Sequence, residues 1–306
     1  MSDQPTVILV YQYGKVASTS VVAWLNAVDG VDAFQTHNLG PDACRKMLER
    51  TLDPTVSPYF FDHLVGQLSQ VIKVGRRMER VESGLDEGRS VIISMARAPV
   101  DWFRSAVVQD IVGYLDLLNA ISDADTGKPD LGPRAKVRAG LDGMLGRLIE
   151  VIERDGGMDA FLDNIIQSNL KGYRKLDFWS LPAGTQFFFT FTRPLVWFQT
   201  HFVDGTGERL ADFESAEHFW RLNRKNRSMY LMRYEDMPGA AQAVARDLDI
   251  TAAENLPQRN LSAKKPFADD VAEVFKGDAA QKLERMTRDT DYARFFGYAG
   301  APHNVV

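Results

Sequence analysis

Cysteine is nearly absent from this chain. Cys44 is the only one among 306 residues, so an internal disulfide and a multi-cysteine zinc site are both excluded. Metal sites built from histidine or carboxylate alone stay open. An excess of cations is missing too. Lys plus Arg number 36 against 41 Asp plus Glu, a formal charge of −5. That balance argues against non-specific coating of nucleic acid or of an anionic membrane. Any anion the protein binds must be held by a local pocket. No run approaches the ~18 uninterrupted apolar residues a membrane helix needs. The opening MSDQPTVILVYQYGK lacks a basic stretch followed by a long apolar core, so no export signal is expected and a cytoplasmic setting is. Internal repeats are missing as well: Phe-Gln-Thr-His occurs at 34–37 and again at 198–201, but the flanks do not match.

What is there is ordinary for a globular protein, 45% hydrophobic and 25% charged, with length enough to bury a sizeable core. Thr6 to Tyr11 (TVILVY) is a short apolar run rich in β-branched residues, which predicts a strand buried on both faces, as in a parallel sheet. A glycine-containing turn follows, then Val21, Val22, Leu25 and Val28 at helical spacing. That is the opening unit of an α/β fold. Ala33 to Thr36 predicts a second strand, ending at His37 and the turn Asn38-Leu39-Gly40-Pro41. Residues 41 to 87 read as helical with breaks at Pro54 and Pro58. Ser90 to Ala96 (SVIISMA) predicts another buried strand. Pro99 then opens a helix with Val100, Phe103, Val107 and Ile111 as its apolar stripe. After a turn-rich break at 122–133, a long helical region runs from Arg134 to about Leu170, interrupted at Gly156-Gly157. Gln186 to Thr192 (QFFFTFT) and Ser228 to Arg233 (SMYLMR) are the remaining strand candidates. Helices near 267–278 and 280–290 close the chain.

Two segments carry chemistry. Tyr13-Gly14-Lys15-Val16-Ala17-Ser18-Thr19-Ser20 lies between the first strand and the first helix, where backbone N–H groups and the positive helix end make an anion site. Lys15 adds a charge; Ser18, Thr19 and Ser20 add hydroxyls. The plainer reading is a helix cap beside a solvated lysine, but the carboxyl end of the first strand is where open α/β sheets bind ligands. A nucleotide-triphosphate loop requires G-x-x-x-x-G-K-[ST]. Here Val16 follows Gly14-Lys15 and Leu9 stands five before Gly14, so the magnesium-binding hydroxyl is missing. The second segment is Arg97-Ala98-Pro99 through Ser105. Arg97 stands in the extended stretch leading to Pro99, and Ser105 lies about 9 Å further along the helix than Pro99. A forked guanidinium and a hydroxyl suit one phosphate at the sheet rim. An arginine paired with a carboxylate is the equal alternative for that segment alone.

Taken together the segments resemble the two signatures of the sulfotransferase family that uses 3′-phosphoadenosine 5′-phosphosulfate. Its first loop has the form K-x-[GA]-[ST]-[ST]-S and its second R-[DA]-P followed by a serine. This chain has Lys15-Val16-Ala17-Ser18-Thr19-Ser20, then Arg97-Ala98-Pro99 with Ser105. Leu231-Met232-Arg233-Tyr234-Glu235-Asp236-Met237 resembles the late strand and turn of such enzymes. The closest flavour is the carbohydrate sulfotransferases and the sulfotransferase-like proteins of capsular polysaccharide synthesis. Two departures stand out: Ala17 where many members have Gly, and Ala98 where many have Asp.

The resemblance implies an α/β fold akin to P-loop NTPases, a central parallel sheet flanked by helices. One domain over residues 1–300 is expected, with a helical insertion near 117–180 and a short tail at 301–306. It implies a sulfuryl donor on Gly14, Lys15, Ala17, Ser18, Thr19 and Ser20, its 3′-phosphate on Arg97 and Ser105, and Lys264 and Lys265 closing over it. Adenosine 3′,5′-bisphosphate is the expected product, with no metal. The acceptor is a hydroxyl on a glycan or small molecule rather than on nucleic acid. Lys15 would stabilise the leaving group and His37 would be the general base, set against the plainer reading of His37 as a hydrogen-bonded turn histidine. His63 and His218, placed in helices, and His201 read as structural. Glu235 and Asp236 read as caps for a helix near Pro238. Trp102 reads as a buried helix aromatic before an adenine stack. Two other functions stay open: a nucleotide-dependent kinase with an atypical loop, and a non-catalytic nucleotide-binding protein in polysaccharide assembly.

Overall fold

The structure, a computed structural model, describes residues 6–54, 58–168, 182–251, 256–257 and 265–300. In chain order the elements are Thr6–Tyr11 (β1), Ser18–Leu25 (α1), Val31–Thr36 (β2), Pro41–Leu52 (α2), Pro58–Glu82 (α3) and Arg89–Ala96 (β3). Then come Pro99–Thr126 (α4), Pro133–Arg154 (α5), Met158–Ser168 (α6), Pro182–Trp197 (α7), a π-helical turn at Phe198–Phe202 and Val203–Thr206 (α8). Glu214–Ser215 (β4), Phe219–Arg224 (β5), Arg227–Arg233 (β6), Met237–Asp247 (α9), Ala268–Val274 (α10), Asp278–Thr287 (α11) and Asp291–Phe296 (α12) complete the described chain. It divides into two compact units: residues 1–97 with 197–259, and 98–196 with 260–306.

The first unit holds the sheet, in the order β2-β1-β3-β6-β5-β4. Four strands are parallel, as the apolar runs predict. The sheet as a whole is mixed, because β5 and β4 join antiparallel through a hairpin onto β6. The expected all-parallel sheet is therefore corrected at one edge. Val7 through Tyr11 and Val91 through Ala96 are buried almost without exception. Successive strand residues point to opposite faces, so both faces of β1 and β3 are covered. Helices α1, α3 and α9 pack on the sheet. From β1 the chain crosses to β2 on one side, then to β3 on the other. That reversal makes the carboxyl ends of β1 and β3 a topological switch point, where α/β sheets open a ligand crevice.

The second unit is helical, and residues 117–168 of the expected insertion fall in it as the end of α4, α5 and α6. Helices α4 and α5 pair and bury Trp102, Phe103, Val107, Ile111, Tyr114 and Leu118 of the one and Leu141, Leu145 and Leu148 of the other. Phe103 packs edge-on against Phe187 and Phe191 of α7. Gly140 permits the closest approach, since a Cβ there would lie 2.0 Å from the Leu118 carbonyl oxygen. Asp270 on α10 is 2% exposed and pairs with Arg138 of α5 at 3.1 Å.

Two expectations fail. Gln186 to Thr192 forms part of helix α7, not a strand. Its buried Phe187, Phe188, Phe191 and Leu195 repeat at helical spacing, and Thr190 returns its hydroxyl to the Gln186 carbonyl at 2.7 Å. Four phenylalanines and two threonines raise strand propensity, but the tertiary stripe overrides it. His218 sits in the bend before β5 rather than in a helix. The polar strand Phe219–Arg224 hides the hairpin that places it. His63 does lie in a helix, α3.

Candidate functional site

The turn after β1 is unusually strained. Gly14, Lys15 and Ala17 have φ of 97°, 57° and 60°, the left-handed region that costs non-glycine residues roughly 1–2 kcal/mol each. Ala17 occupies it as the N-cap of α1, without a side-chain cap bond. Here a glycine would sit without strain, which is the physical content of the Gly that similar loops carry at this position. Such strain persists where the surroundings hold it, and it concentrates at ligand sites. The Ala17 carbonyl takes the Ser20 and Val21 N–H groups at 2.9 and 3.0 Å, and the start of α1 follows the strand end, where a helix N-terminus favours an anion.

Gln12 anchors the loop from below. It is fully buried, its Oε1 accepts from the Gly14 N–H, and its Nε2 donates to Ser18 Oγ at 3.0 Å. Ser18 and Ser20 are buried in the first helical turn, while Thr19 is exposed and reaches Gln35 Oε1 at 3.5 Å. Lys15 is partly buried.

His37 follows β2, the strand hydrogen-bonded beside β1. Its Nδ1 lies 2.8 Å from the Gln12 carbonyl oxygen and 3.3 Å from Gln12 Nε2. A carbonyl can only accept, so the shorter contact makes Nδ1 the donor and leaves Nε2 as the basic nitrogen of the neutral ring.

Arg97 at the end of β3 comes to the same loop. Its guanidinium donates to the Lys15 carbonyl at 3.2 Å and lies 4.3 Å over the ring of Tyr234, just beyond β6. Its backbone N–H donates to the Tyr13 hydroxyl at 3.0 Å. Tyr13 is buried against Trp197 and Phe198, with centroids 5.6 and 6.3 Å apart. The rim thus gathers Gly14, Lys15, Ala17, Ser18, Thr19, Ser20, His37 and Arg97 within one unit. Gln12, Tyr13 and Tyr234 hold them, and none of the three was assigned a role from sequence. A polar residue ending an apolar strand, Gln12 after TVILVY, was the one readable signal.

The remaining predicted residues belong to the second unit or lie outside the described residues. Ser105 is partly buried on α4 in the second unit. Lys265 is exposed in the bend before α10; Lys264 lies outside the described residues. Trp102 is 1% exposed with the Arg193 guanidinium 5.9 Å over its ring, so it is a core residue with no open face for a base. Asp236 occupies the N-cap position of α9 without a side-chain cap bond, its carboxylate instead accepting from Arg233 Nε at 2.6 Å. Among the described residues no group of three His, Cys, Asp or Glu gathers as a metal site, and no helix is long and apolar enough to cross a membrane. Comparison with protein-family models, curated proteins and solved structures finds no match.

Proposed function

We propose that the protein is a sulfotransferase that uses 3′-phosphoadenosine 5′-phosphosulfate and a hydroxyl-bearing glycan or small-molecule acceptor, without a metal. The observation that carries this reading is the convergence of the Lys15 loop, Arg97 and His37 on the Gln12–Lys15 backbone at the β1 end. The donor set fits an oxyanion: helix N–H groups, the Ser18 hydroxyl held by Gln12, an ammonium and a nearby guanidinium. When bound, the donor supplies a sulfuryl group whose bond to the phosphate oxygen breaks as the acceptor oxygen bonds to sulfur.

Gly14, Ala17, Ser18, Thr19 and Ser20 would hold the 5′-phosphosulfate. Lys15 would neutralise charge developing on the leaving phosphate. Arg97 gives the nucleotide a second cation, and Ser105, Lys264 and Lys265 are its further contacts by resemblance. His37 Nε2 would take the proton from the acceptor hydroxyl, while its Nδ1–H stays bound to the Gln12 carbonyl and keeps the tautomer fixed. Labelled-sulfate transfer to a panel of glycans and alcohols tests the reading. Transfer that needs no magnesium and is lost in Lys15→Ala is the expected result; phosphoryl transfer from ATP with magnesium in its place would refute it.

A further inference from the structure

Helix α3 carries an apolar stripe that the core does not use. Leu64, Val71, Val74, Met78 and Val81 are its buried residues. About a third of a turn away, Phe61, Val65, Leu68 and Ile72 recur at intervals of four, three and four, which keeps them on one line of the helix. Phe61, Val65 and Ile72 are 44%, 41% and 47% exposed, and Leu68 is half-buried. Single exposed apolar residues are ordinary, but four in register on one helix face mark a contact surface. Helix α2, packed on α3, adds the exposed Leu48 and Leu52. Asp62, Lys73 and Arg76 are exposed along one edge of the stripe. The neighbouring cations Arg77 and Arg80 are taken within the chain by Asp32 and Asp86.

We propose that this face of α3 binds a second copy of the chain, the two helices running antiparallel around a two-fold axis between Val65 and Leu68. The spacing reads the same from either end, so the two-fold sets Phe61 against Ile72 and Val65 against Leu68. Charge fixes the direction. At 1.5 Å per residue, Asp62 stands about 7 Å to one side of the axis and Lys73 about 10 Å to the other. The two-fold therefore brings Asp62 of one copy to within about 3 Å, along the helix, of Lys73 of the second copy, and does so twice. A parallel pairing would fill the same apolar layers but set Asp62 against Asp62 and Lys73 against Lys73, which like-charge repulsion disfavours. The stripe is only four layers long, so the dimer is a weak one.

The test is sedimentation velocity of the full chain over roughly 1–200 µM, a range that brackets a small interface. Wild type should pass reversibly from monomer to dimer within it. Ile72→Glu puts a good helix former on an exposed face, so the fold should hold and its circular dichroism stay unchanged. The dimer should weaken by at least about thirtyfold, since the residue is lost from both copies. Asp62→Lys and Lys73→Asp should each weaken association about fivefold at low salt. The double variant should regain wild-type affinity. An equal mixture of the two single variants should regain it as well, because each supplies the charge the other lacks. A chain monomeric throughout, a dimer indifferent to Ile72→Glu, or single charge variants that associate as well as wild type overturns the proposal. So does a monomer that floats with phosphatidylglycerol vesicles and loses that binding in Ile72→Glu, which would assign the stripe to a membrane. None of these residues belongs to the rim around Lys15, so the outcome is separate from the transferase reading.

Discussion

The same four residues, Phe-Gln-Thr-His, occur twice in the first unit and do two different things. At 34–37 they end β2, and the imidazole of His37 bonds the Gln12 carbonyl. At 198–201 they form most of a π-helical turn, where the backbone carbonyl of His201 accepts from the Tyr11 hydroxyl at 2.5 Å. Burial pushes that hydroxyl well above the usual tyrosine range, so Tyr11 stays protonated and donating. Adjacent residues of one strand end thus seize the two histidines differently, one by its ring and one by its main chain. The second attachment is tight: a Cβ at Gly205 would come within 2.9 Å of the Tyr11 oxygen and 3.0 Å of Leu39. Local sequence sets neither outcome. The neighbouring strand end does.

That contrast can be broken by substitution. His37→Asn should lower sulfate transfer by about 10²–10⁴-fold, whereas His201→Asn, on an exposed side chain, should stay within about twofold; steady-state rates with labelled donor decide it. Equal losses at both positions would erase the distinction between ring and carbonyl. Lys15→Ala should cost about 10²–10³-fold in the transfer rate, read in the same assay. Tyr11→Phe strips the donor from the His201 carbonyl and should lower unfolding free energy by about 1–2 kcal/mol in a denaturant titration, with the histidine-dependent chemistry kept. Smallest of all, Ala17→Gly relieves the left-handed N-cap at some cost in chain entropy. A gain of about 0.5–1 kcal/mol is expected, and a loss would mean that the strain lies elsewhere in the loop.

Much of the fold was legible because buried parallel strands are short, apolar and β-branched. TVILVY matches β1 residue for residue, and SVIISMA and SMYLMR lie within β3 and β6. The helix breaks at Pro54, Pro58 and Gly156-Gly157 were legible through backbone restriction. QFFFTFT misled because its four phenylalanines and two threonines outweighed a helical stripe that becomes visible only when read through Leu195. The β5 strand was hidden by its two arginines and because its buried residues, Phe219 and Leu222, do not alternate. At the site, Lys15, Arg97 and His37 could be named because their residue types announce chemistry. Gln12, Tyr13 and Tyr234 could not, because a holding residue is defined by what it touches, and those contacts join residues as distant in sequence as Tyr13 and Phe198.

The most direct measurement is calorimetric titration of adenosine 3′,5′-bisphosphate into the wild-type protein and Lys15→Ala, with no magnesium present. The account predicts saturable binding to the wild type, weakened at least about tenfold by the substitution. Heat from ATP with magnesium alone, and none from the bisphosphate, would contradict it.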